Sequence, residues 1–318
     1  MTSLDLVTVI VSWNTRELTL QALRSLTDDL ADSGLSSAIY VVDNASSDGT
    51  SEAVISTFQD VRLISSKTNL GFVKANNLAL REIGFDSGDP VDVSTLPRAV
   101  YLLNPDTITQ SGATKALFHA LMSDGQLGLV GAQLAYEDGS FQHGAFAFPG
   151  LFQLWAELFP VPGRFYESRL NGRYPREQYA AGKPFEVDFV LGATMMLRRE
   201  TVQATGLFDE RYFMFCEEID WAWRIHQAGY KVMCVPQAHV THLSGQSTGQ
   251  AKPQTVVRLW TSRLQLFKTF YPAWKFVVAK KLITAGMKRQ LRKLDRNTAD
   301  AAALAEAYQE VISLAQNA

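Results

Sequence analysis

Three carboxylates fall within about one helical turn at Glu217, Glu218 and Asp220. Such a cluster repels itself unless the helix dipole, a cation or water relieves the charge. Glu217 suits a helix N-terminus, and Asp220 can pair with Arg224 four residues later. Glu218 lies about 100° around the helix from Glu217 and is left for another task. Partial burial by nearby aromatic residues would give Glu218 the raised pKa of a general base. These aromatic residues are Phe213, Phe215 and Trp221.

Two further aspartates follow apolar, strand-like runs. Asp43 comes directly after one run, and Asp106 comes two residues after Asn104, where another run ends. Ligands of an open parallel sheet bind outside the carboxyl ends of its strands. A carboxylate there can accept a hydrogen bond from a ribose or a base, or hold a cation that neutralises a diphosphate. The structural alternative is that Asp43 caps the next helix and residues 104–106 form an ordinary turn.

Two histidines, His239 and His242, are predicted to follow a later strand. Their spacing does not indicate a zinc site, because no Cys or acidic residue follows at ligand spacing. The structural alternative is a hydrogen-bonded histidine. Chemically, one of them can join Asp106 at a Mg²⁺ or Mn²⁺ site, with imidazole better suited to Mn²⁺.

The elements that must position these residues alternate between strand and helix patterns. Short, fully apolar strands separated by helices predict an α/β fold whose parallel sheet is covered on both faces. Asn14 with Glu17 resembles a helix-starting capping box. The segment 141–184 is read as a loop-rich insertion, and 86–98 as a surface loop. The predicted strands are 6–12, 39–42, 61–65, 100–103, 187–197 and 230–235, and the predicted helices are 14–30, 71–83, 217–227 and 299–315.

The composition excludes several classes of protein. The chain has 318 residues, of which 47% are hydrophobic and 19% charged, so disorder, collagen and coiled coil are ruled out. Two cysteines, Cys216 and Cys234, cannot form a disulfide framework and indicate a reducing compartment, so we expect a cytoplasmic protein. The N-terminal sequence is not typical of a secretory signal, and no apolar run reaches the length of a spanning helix. The net charge of −2 argues against a nucleic-acid partner.

The charge is unevenly distributed along the chain. Residues 252–296 contain twelve Lys or Arg against one acid, Asp295, a net +11, which leaves −13 for the remainder. Aromatic residues alternate with these basic residues, a pattern suited to an anionic membrane surface. The alternative is that the aromatic residues pack on the rest of the chain or on a second subunit of a homodimer, with the basic side chains solvated.

Seven segments, in order, resemble the family 2 inverting glycosyltransferases of the GT-A fold, especially their rhamnosyltransferase-like branch. They cover roughly residues 5 to 250. The segments are VTVIVSWN (7–14), VVDNASSDGT (41–50), NLGFVKANN (69–77), LLNPDT (102–107), FVLGATMMLRRE (189–200), GLFDERYFMFCEEIDWAWRIHQAGY (206–230) and HLSGQS (242–247). The resemblance implies a Rossmann-like, mixed and mainly parallel sheet with helices on both faces. We assign residues 1–250 to this catalytic domain, with 141–184 on the acceptor side, and residues 251–318 to a basic, aromatic helical extension.

The resemblance also implies roles for individual residues. Glu218 matches the catalytic base, with Glu217 and Asp220 orienting the acceptor or the helix. Asp106 and His242 match metal ligands for Mg²⁺ or Mn²⁺, although neutral Asn104 stands where the family has an acid. The residues implied in binding the nucleotide-sugar are Ser12, Asn14, Asp43, Asn69, Gly71, Lys74, Asn77, Asn104, Gly192 and Ala193.

The expected activity is transfer of a sugar from a nucleoside-diphosphate donor to a glycan or lipid-linked acceptor in cell-surface polysaccharide synthesis. The branch favours dTDP-rhamnose, followed by UDP-hexoses. An oxidoreductase is excluded because no Gly-x-Gly-x-x-Gly turn follows the first strand. A sugar nucleotidyltransferase is disfavoured because no Gly-rich, basic phosphate loop occurs near the N-terminus. A non-catalytic sugar-binding or assembly module remains the main alternative, and transfer in vitro would distinguish it.

Overall fold

The computed structural model describes residues 3–86, 93–243, 252–295 and 301–318, with the side chain of Lys252 left out. Part of the predicted 86–98 loop and residues 244–247 of the last family-like segment lie outside these ranges. The strands are β1 (Leu6–Ser12), β2 (Ser37–Asp43), β3 (Arg62–Ser65), β4 (Ala99–Leu103), β5 (Thr107–Thr109), β6 (Leu127–Ala135), β7 (Phe141–Gln142), β8 (Ala145–Phe146), β9 (Phe185–Glu186), β10 (Phe189–Val190), β11 (Thr194–Arg198) and β12 (Lys231–His242).

Eleven helices are present in the described part of the chain, together with three single turns of 3₁₀ helix. The helices are α1 (Arg16–Ala31), α2 (Thr50–Thr57), α3 (Gly71–Ile83), α4 (Ala113–Ser123), α5 (Leu151–Leu158), α6 (Arg176–Ala180), α7 (Arg199–Thr205), α8 (Glu217–Gln227), α9 (Lys252–Phe270), α10 (Ala273–Lys293) and α11 (Ala301–Asn317). The 3₁₀ turns are Val93–Thr95, Gly163–Phe165 and Arg169–Asn171.

The central sheet has the strand order β3-β2-β1-β4-β11-β6-β12-β5. Strands β3, β2, β1 and β4 run parallel, as do β6 and β12, whereas β11 lies antiparallel between β4 and β6. Every residue of β1 and β4 is buried, because helices cover both faces of the sheet. The predicted α/β fold with a mixed, mainly parallel sheet is therefore confirmed.

The predicted capping box at the start of α1 is not formed. Thr15 is the residue before the helix, and its side chain makes no capping hydrogen bond. Asn14 instead adopts a left-handed backbone conformation with φ 51°, and its Oδ1 accepts a hydrogen bond from the N–H of Ser47 at 2.8 Å. The Asn side chain thus joins two loops, a tertiary contact that the local pattern did not reveal.

Two predicted strands have different bounds. The run 187–197 is divided into β10 and β11 by residues 191–193, and Gly192 lies in this break. The strand predicted at 230–235 continues to His242, so His239 and His242 lie within β12 and do not follow it. A register irregularity between Val235 and His239 carries β12 past the point where its apolar pattern weakens.

The core consists of three clusters. Two of them cover the opposite faces of the sheet. The third joins α5, from the segment read as loop-rich, to α9, α10 and α11. A Cβ on Gly286 would lie 2.4 Å from a methyl carbon of Leu158, so α10 and α5 cross closely at this glycine. The extension is helical and packs on segment 141–184, whereas the domain boundary at residue 250 stays a prediction.

The aromatic residues of the extension are mostly buried or half-buried. Phe267 is fully buried, and the rings of Phe270 and Trp223 stack with centroids 4.8 Å apart. Trp274 is the exception and is 60% exposed. Most of these aromatic rings are therefore used in packing within the chain and are not available to a membrane or a second subunit. Among the described residues, no helix combines the length and the apolar character that crossing a bilayer requires.

Candidate active site

A cleft of about 340 Å³ lies beyond the carboxyl ends of β1, β2 and β4. We call its two sides the sheet-edge wall and the helical wall. The sheet-edge wall consists of Val11, Trp13, Asn44, Asn104, Pro105, Asp106, Leu191, Gly192, Ala193 and His242. The helical wall consists of Asn69, Gly71, Phe72, Phe213, Met214, Phe215, Glu217, Glu218, Thr255 and Arg258.

The sheet-edge wall brings Asp106 and His242 together. Thr107, the first residue of β5, pairs with His242 at the end of β12, and the carbonyl of Asp106 accepts a hydrogen bond from the N–H of Leu243. This pairing places Asp106 Oδ1 3.5 Å from His242 Nε2, and both side chains are buried. Asn104 is held beside them because its N–H donates to the carbonyl of Ala193 at 3.0 Å.

These side chains fit a hard divalent cation. The side-chain oxygen of Asn104 is buried and has no hydrogen-bond partner in the described part of the chain, so it is available as a ligand. Mg²⁺ is commonly held by one or two carboxylates together with substrate phosphates, and imidazole suits Mn²⁺. Within residues 3–86, 93–243, 252–295 and 301–318, no group of three His, Cys, Asp or Glu surrounds a common point. A cation here would therefore need oxygens from its substrate.

Gln142, a residue not singled out in the sequence, contacts His242 from the other side of its ring. Its Nε2 lies 3.2 Å from His242 Nδ1, while its Oε1 is buried and unpartnered among the described residues. Turning the carboxamide by 180° exchanges the two atoms, and the two orientations are assigned from hydrogen bonding. In the turned orientation Oε1 accepts from Nδ1–H, which leaves the lone pair of His242 on Nε2, facing Asp106.

The helical wall presents Glu217 and Glu218 on the first turn of α8. The residues before the helix, Phe215 and Cys216, both have left-handed backbone conformations, with φ 70° and 64°. This sharp turn starts α8 at the cleft and directs both glutamates into it. Gly192 of the opposite wall lies against Glu218, since a Cβ there would be 3.7 Å from Glu218 Cβ. The absence of a side chain at Gly192 keeps the space before Glu218 open.

Burial raises the pKa values of both glutamates. Burial raises the pKa of Glu218 to about 7, and this rise is opposed by backbone N–H groups and by the positive charge of Arg263. Burial together with the charge of Glu218 raises the pKa of Glu217 well above its ordinary value. The Oε2 atom of Glu217 has no hydrogen-bond partner in the described ranges. Glu218 is therefore the carboxylate suited to exchange a proton near neutral pH.

Contacts from both sides hold the loop that precedes α8. The carbonyl of Phe213 accepts a hydrogen bond from the N–H of Phe72 at 3.0 Å, and Gly71 packs so closely that a Cβ would lie 2.7 Å from that carbonyl. On the other side, Ser262 Oγ of α9 donates to the carbonyl of Met214 at 2.8 Å. The loop is thus clamped between α3 and the C-terminal extension.

The cleft contains nine of the fifteen predicted site residues, together with Phe213 and Phe215, which were expected to bury Glu218. The nine are Asn69, Gly71, Asn104, Asp106, Gly192, Ala193, Glu217, Glu218 and His242. The structure does not bring Ser12, Asn14, Asp43, Lys74, Asn77 and Asp220 into the cleft lining. Trp221, expected to shield Glu218, also lies elsewhere: its Nε1 donates to Thr205 Oγ1 at 2.8 Å.

Asp43 and Ser12, which end β2 and β1, lie outside the cleft and have local contacts. Asp43 Oδ1 accepts from the N–H of Ser46 at 3.0 Å, and its Oδ2 accepts from the hydroxyl of Ser51. Its neighbour Asn44 lines the cleft in its place and donates to Asn69 Oδ1 at 3.0 Å. Ser12 Oγ lies 2.8 Å from Thr19 Oγ1, within the buried start of α1.

The other outlying residues also have structural contacts. Asn77 Nδ2 donates to the carbonyl of Phe208 at 2.9 Å, and Oδ1 accepts from the N–H of the same residue. Lys74, three residues earlier on α3, is exposed. Asp220 accepts a hydrogen bond from Arg224 Nε at 2.7 Å, which is the i,i+4 pair expected from the sequence. Asp220 thus stabilises helix α8. It does not line the cleft, so its predicted role in orienting an acceptor has no support from its position.

Trp13, Thr255 and Arg258 are cleft residues that sequence reasoning did not select. Trp13 lies inside the family-like segment VTVIVSWN, next to Asn14. This position could have indicated that Trp13 lies near the site. Thr255 and Arg258 belong to α9, and Arg258 was counted only as part of the basic tail. No local pattern distinguishes it from the solvated basic residues nearby.

Comparison with known proteins adds independent findings. The sequence model of the family described as "Glycosyltransferase like family 2" matches residues 5–259. The N-acetylglucosaminyl-diphospho-decaprenol L-rhamnosyltransferase of Mycobacterium tuberculosis is 30% identical over 213 residues, which make up 67% of this chain and 68% of that protein. The solved structure of GalNAc-T7 with UDP, GalNAc and Mn²⁺ has a TM-score of 0.59 at 14% identity and covers 99% of this chain and 56% of its own.

A second solved structure is the mannosyltransferase PcManGT from Pyrobaculum calidifontis in complex with GDP-Man and Mn²⁺. It has a TM-score of 0.55 at 16% identity, over 99% of this chain and 84% of the mannosyltransferase. At these identities the two structural matches demonstrate a shared fold, which is the GT-A fold expected from the sequence.

Proposed function

Since this chain belongs to glycosyltransferase family 2, we propose that it transfers a rhamnosyl group from a nucleoside-diphosphate donor to a hydroxyl of a lipid-linked glycan, with inversion at the anomeric carbon. The observation that carries this proposal is that Asp106 of the sheet-edge wall and Glu218 of the helical wall line one cleft. Metal-bound diphosphate on one side and a base on the other are what a single displacement at C1 requires.

The site for the cation that holds the donor is assigned to the sheet-edge wall. Asp106, His242 and the side-chain oxygen of Asn104 would hold Mg²⁺ or Mn²⁺ together with diphosphate oxygens. The bound cation would counter the negative charge of the diphosphate. Asn44 and Asn69 line the same cleft nearer the carboxyl end of β2, where a nucleoside would bind. Gly192 and Ala193 leave room for the sugar beside Glu218.

Glu218 acts as the general base. It accepts the proton of the acceptor hydroxyl while that oxygen forms a bond to C1 of the sugar. The bond from C1 to the diphosphate oxygen breaks, and its electron pair leaves with the nucleoside diphosphate. Attack from the face opposite the leaving group inverts the anomeric centre, through an oxocarbenium-like state by analogy with glycoside hydrolysis. A pKa of about 7 keeps a large fraction of Glu218 ionised at neutral pH.

The choice of donor sugar and of acceptor in this proposal is based on the curated relative. That protein is an L-rhamnosyltransferase whose name specifies an N-acetylglucosaminyl-diphospho-decaprenol acceptor. We therefore place dTDP-rhamnose before UDP-hexoses as donor, and a diphospholipid-linked sugar before a free glycan as acceptor. A non-catalytic module and a nucleotidyltransferase are not favoured, because the curated relative is a rhamnosyltransferase and the family model matches residues 5–259, a range that includes every residue of the cleft.

The direct experiment incubates the purified chain with Mn²⁺, dTDP-rhamnose and a short-chain diphospholipid-linked N-acetylglucosamine. We expect a disaccharide-lipid whose new linkage has the anomeric configuration opposite to that of the donor, as measured by mass spectrometry and NMR. UDP-glucose and UDP-galactose serve as matched donors. A retained configuration contradicts the displacement, and absence of transfer from all three donors contradicts the proposed activity.

The proposed acceptor is membrane-bound, and one surface of the molecule suits an anionic membrane. Six large apolar side chains on or next to α5, α10 and the 3₁₀ turns between residues 163 and 171 are exposed: Trp155, Tyr166, Leu170, Trp274, Val277 and Val278. Helix α10 has no acidic residue, and its exposed side continues through Lys281, Lys288 and Arg292. Basic residues contribute about 1 kcal/mol each near an anionic surface. Cytoplasmic location on the inner face of the membrane is part of this proposal.

Flotation with liposomes tests the surface. The chain is expected to float with vesicles containing anionic phospholipid and to lose binding when Trp274 and Val278 are both replaced by Ser. Ile55→Ser removes an equally exposed apolar side chain from α2 and should leave flotation unchanged. Absence of binding to anionic vesicles at low salt would contradict a membrane role, and homodimer formation through this surface stays the alternative prediction.

A further inference from the structure

One arginine of the C-terminal extension faces the cleft. Thr255, Arg258 and Ser262 are spaced three and four residues apart on α9, so they share one side of the helix. The hydrogen bond from Ser262 to the carbonyl of Met214 fixes that side against the helical wall. The guanidinium of Arg258 lies 4.1 Å from the ring centroid of Phe213, another residue of this wall. Two separate contacts therefore determine where the Arg258 side chain points.

The charge of Arg258 is not balanced by an acid. Among the described residues, no carboxylate lies within ion-pair distance of its guanidinium, whereas Arg263, on the same helix, pairs with Glu157 at 2.8 Å. Partial burial lowers the pKa of Arg258, because the protein displaces some of the water around its charge. The guanidinium nevertheless remains ionised at neutral pH. An anionic ligand in the cleft would supply the charge partner that the described residues do not.

Arg258 is also the single Lys or Arg among the described residues that line the cleft. The other ionisable groups there are Asp106, His242, Glu217 and Glu218. A donor diphosphate next to these acids needs positive charge from the protein as well as from a cation. The planar guanidinium fork matches two phosphate oxygens at once, which a lysine ammonium does not.

We propose that Arg258 binds the diphosphate of the donor and stabilises it as the leaving group, so that the C-terminal extension supplies part of the active site. This inference rests on the proposed function and deepens it. As the bond from C1 to the phosphate oxygen breaks, that oxygen takes the bonding electron pair and gains negative charge. A cation already held in place by Phe213 stabilises this charge without reorganising. Neutral Asn104 offers a cation one carboxylate fewer than an acid at this position would, so more of the diphosphate charge is left for an arginine to counter.

The test compares nucleotides that differ by one phosphate. Isothermal titration calorimetry measures the binding of dTDP, dTMP, UDP and UMP, first with EDTA and then with Mn²⁺. The variants are Arg258→Met, which retains an apolar stem against Phe213, and Arg258→Lys, which retains the charge without the fork. Lys268→Met is the matched control, because Lys268 is an exposed residue of the same helix. Thermal unfolding of each variant without ligand checks that it folds.

We expect Arg258→Met to weaken binding of the preferred nucleoside diphosphate by about 10- to 100-fold, as for loss of a charge-assisted hydrogen bond. Binding of the matching monophosphate should change less than about threefold. Arg258→Lys should fall between Arg258→Met and the unchanged protein, and Lys268→Met should match the unchanged protein. The ratio of diphosphate to monophosphate affinity is the decisive readout, since a merely structural residue would change both affinities together.

Two results overturn the inference. An unchanged affinity ratio in Arg258→Met, whether both affinities stay the same or fall together, excludes a diphosphate contact while leaving the proposed transferase activity standing. Failure of the unchanged protein to bind either diphosphate in the presence of Mn²⁺ overturns the proposed function and this inference with it. The two failures are therefore distinguishable within one set of titrations.

Discussion

The sheet-edge wall and the helical wall of the cleft are held by different kinds of contact. Strand pairing of β5 with β12, and backbone hydrogen bonds such as Asn104 to Ala193, hold the sheet-edge wall. The helical wall depends on side-chain contacts between distant elements, including Ser262 to Met214 and Arg258 to Phe213. Strand pairing holds side chains in fixed positions, which suits residues that must bind one cation together. A loop held between two helices can instead bury a carboxylate and raise its pKa.

This difference leads to a division of labour that mutations can test. Changes in the sheet-edge wall should weaken donor binding, and changes at Glu218 should slow the chemical step while donor binding persists. A variant that reverses this pattern would break the comparison.

The largest effect is expected for Glu218→Gln. Removing a positioned base should lower turnover at least about 100-fold, because such a base typically contributes 10²- to 10⁴-fold. Affinity for the nucleoside diphosphate, measured by calorimetry, should stay within about threefold of the unchanged value. Glu217→Gln is the matched control: its carboxyl has a strongly raised pKa, so an amide resembles its neutral form and should cost much less. Near-normal turnover of Glu218→Gln would remove the base assignment.

Asp106→Ala should have the next largest effect. Loss of this carboxylate should abolish the gain in nucleoside-diphosphate affinity that Mn²⁺ produces, a decrease of about tenfold or more. The measurement is a titration of the nucleotide with Mn²⁺ and with EDTA. Asp60→Ala, at an exposed position of the same charge, is the control. Equal Mn²⁺ dependence in Asp106→Ala and the unchanged protein would exclude a metal role.

The pH profile sharpens the account of the helical wall. A base with a pKa of about 7 is protonated below that pH, so kcat/KM should fall about tenfold per pH unit on the acid side and level off above neutrality. The positive charge of Arg263 lowers the pKa of Glu218, and removing it should move the acid limb to higher pH. Because Arg263 pairs with Glu157, the double variant Arg263→Met with Glu157→Gln avoids leaving an unpaired charge. A profile that does not move would show that Arg263 does not act on the base.

The smallest expected effect concerns the clamp on the loop. Gly71→Ala and Gly34→Ala both place a side chain at a left-handed position, with φ of +81° and +74°, and share that conformational cost. The new Cβ at 71 would also lie 2.7 Å from Phe213, whereas nothing lies within 4 Å at 34. Urea unfolding should therefore give a free energy of unfolding about 1 kcal/mol lower for Gly71→Ala than for Gly34→Ala. Equal free energies of unfolding would mean that the loop containing Phe213 moves away from the new methyl group without an energetic cost.

Much of the fold was predictable because the relevant signals are local. The apolar runs of β1 and β4 are typical of a sheet covered on both faces, and Glu217 and Glu218 begin a helix as their charges favour. The end of β12 was missed because its second half is stabilised by pairing with β5 and not by an apolar pattern. The capping box failed because Asn14 makes a tertiary hydrogen bond in its place.

The sequence by itself determined the fold class, the acids after the strands and the family-like order of the segments, since residue type and spacing carry this information. Only the tertiary structure decided which acids reach the cleft: Asp106 and Glu218 line it, while Asp43 and Asp220 are engaged in local hydrogen bonds. It also brought Arg258 of the extension to Phe213. The physical reason is that side-chain direction depends on backbone conformation and on packing between residues far apart in the chain, and neither is set by local pattern.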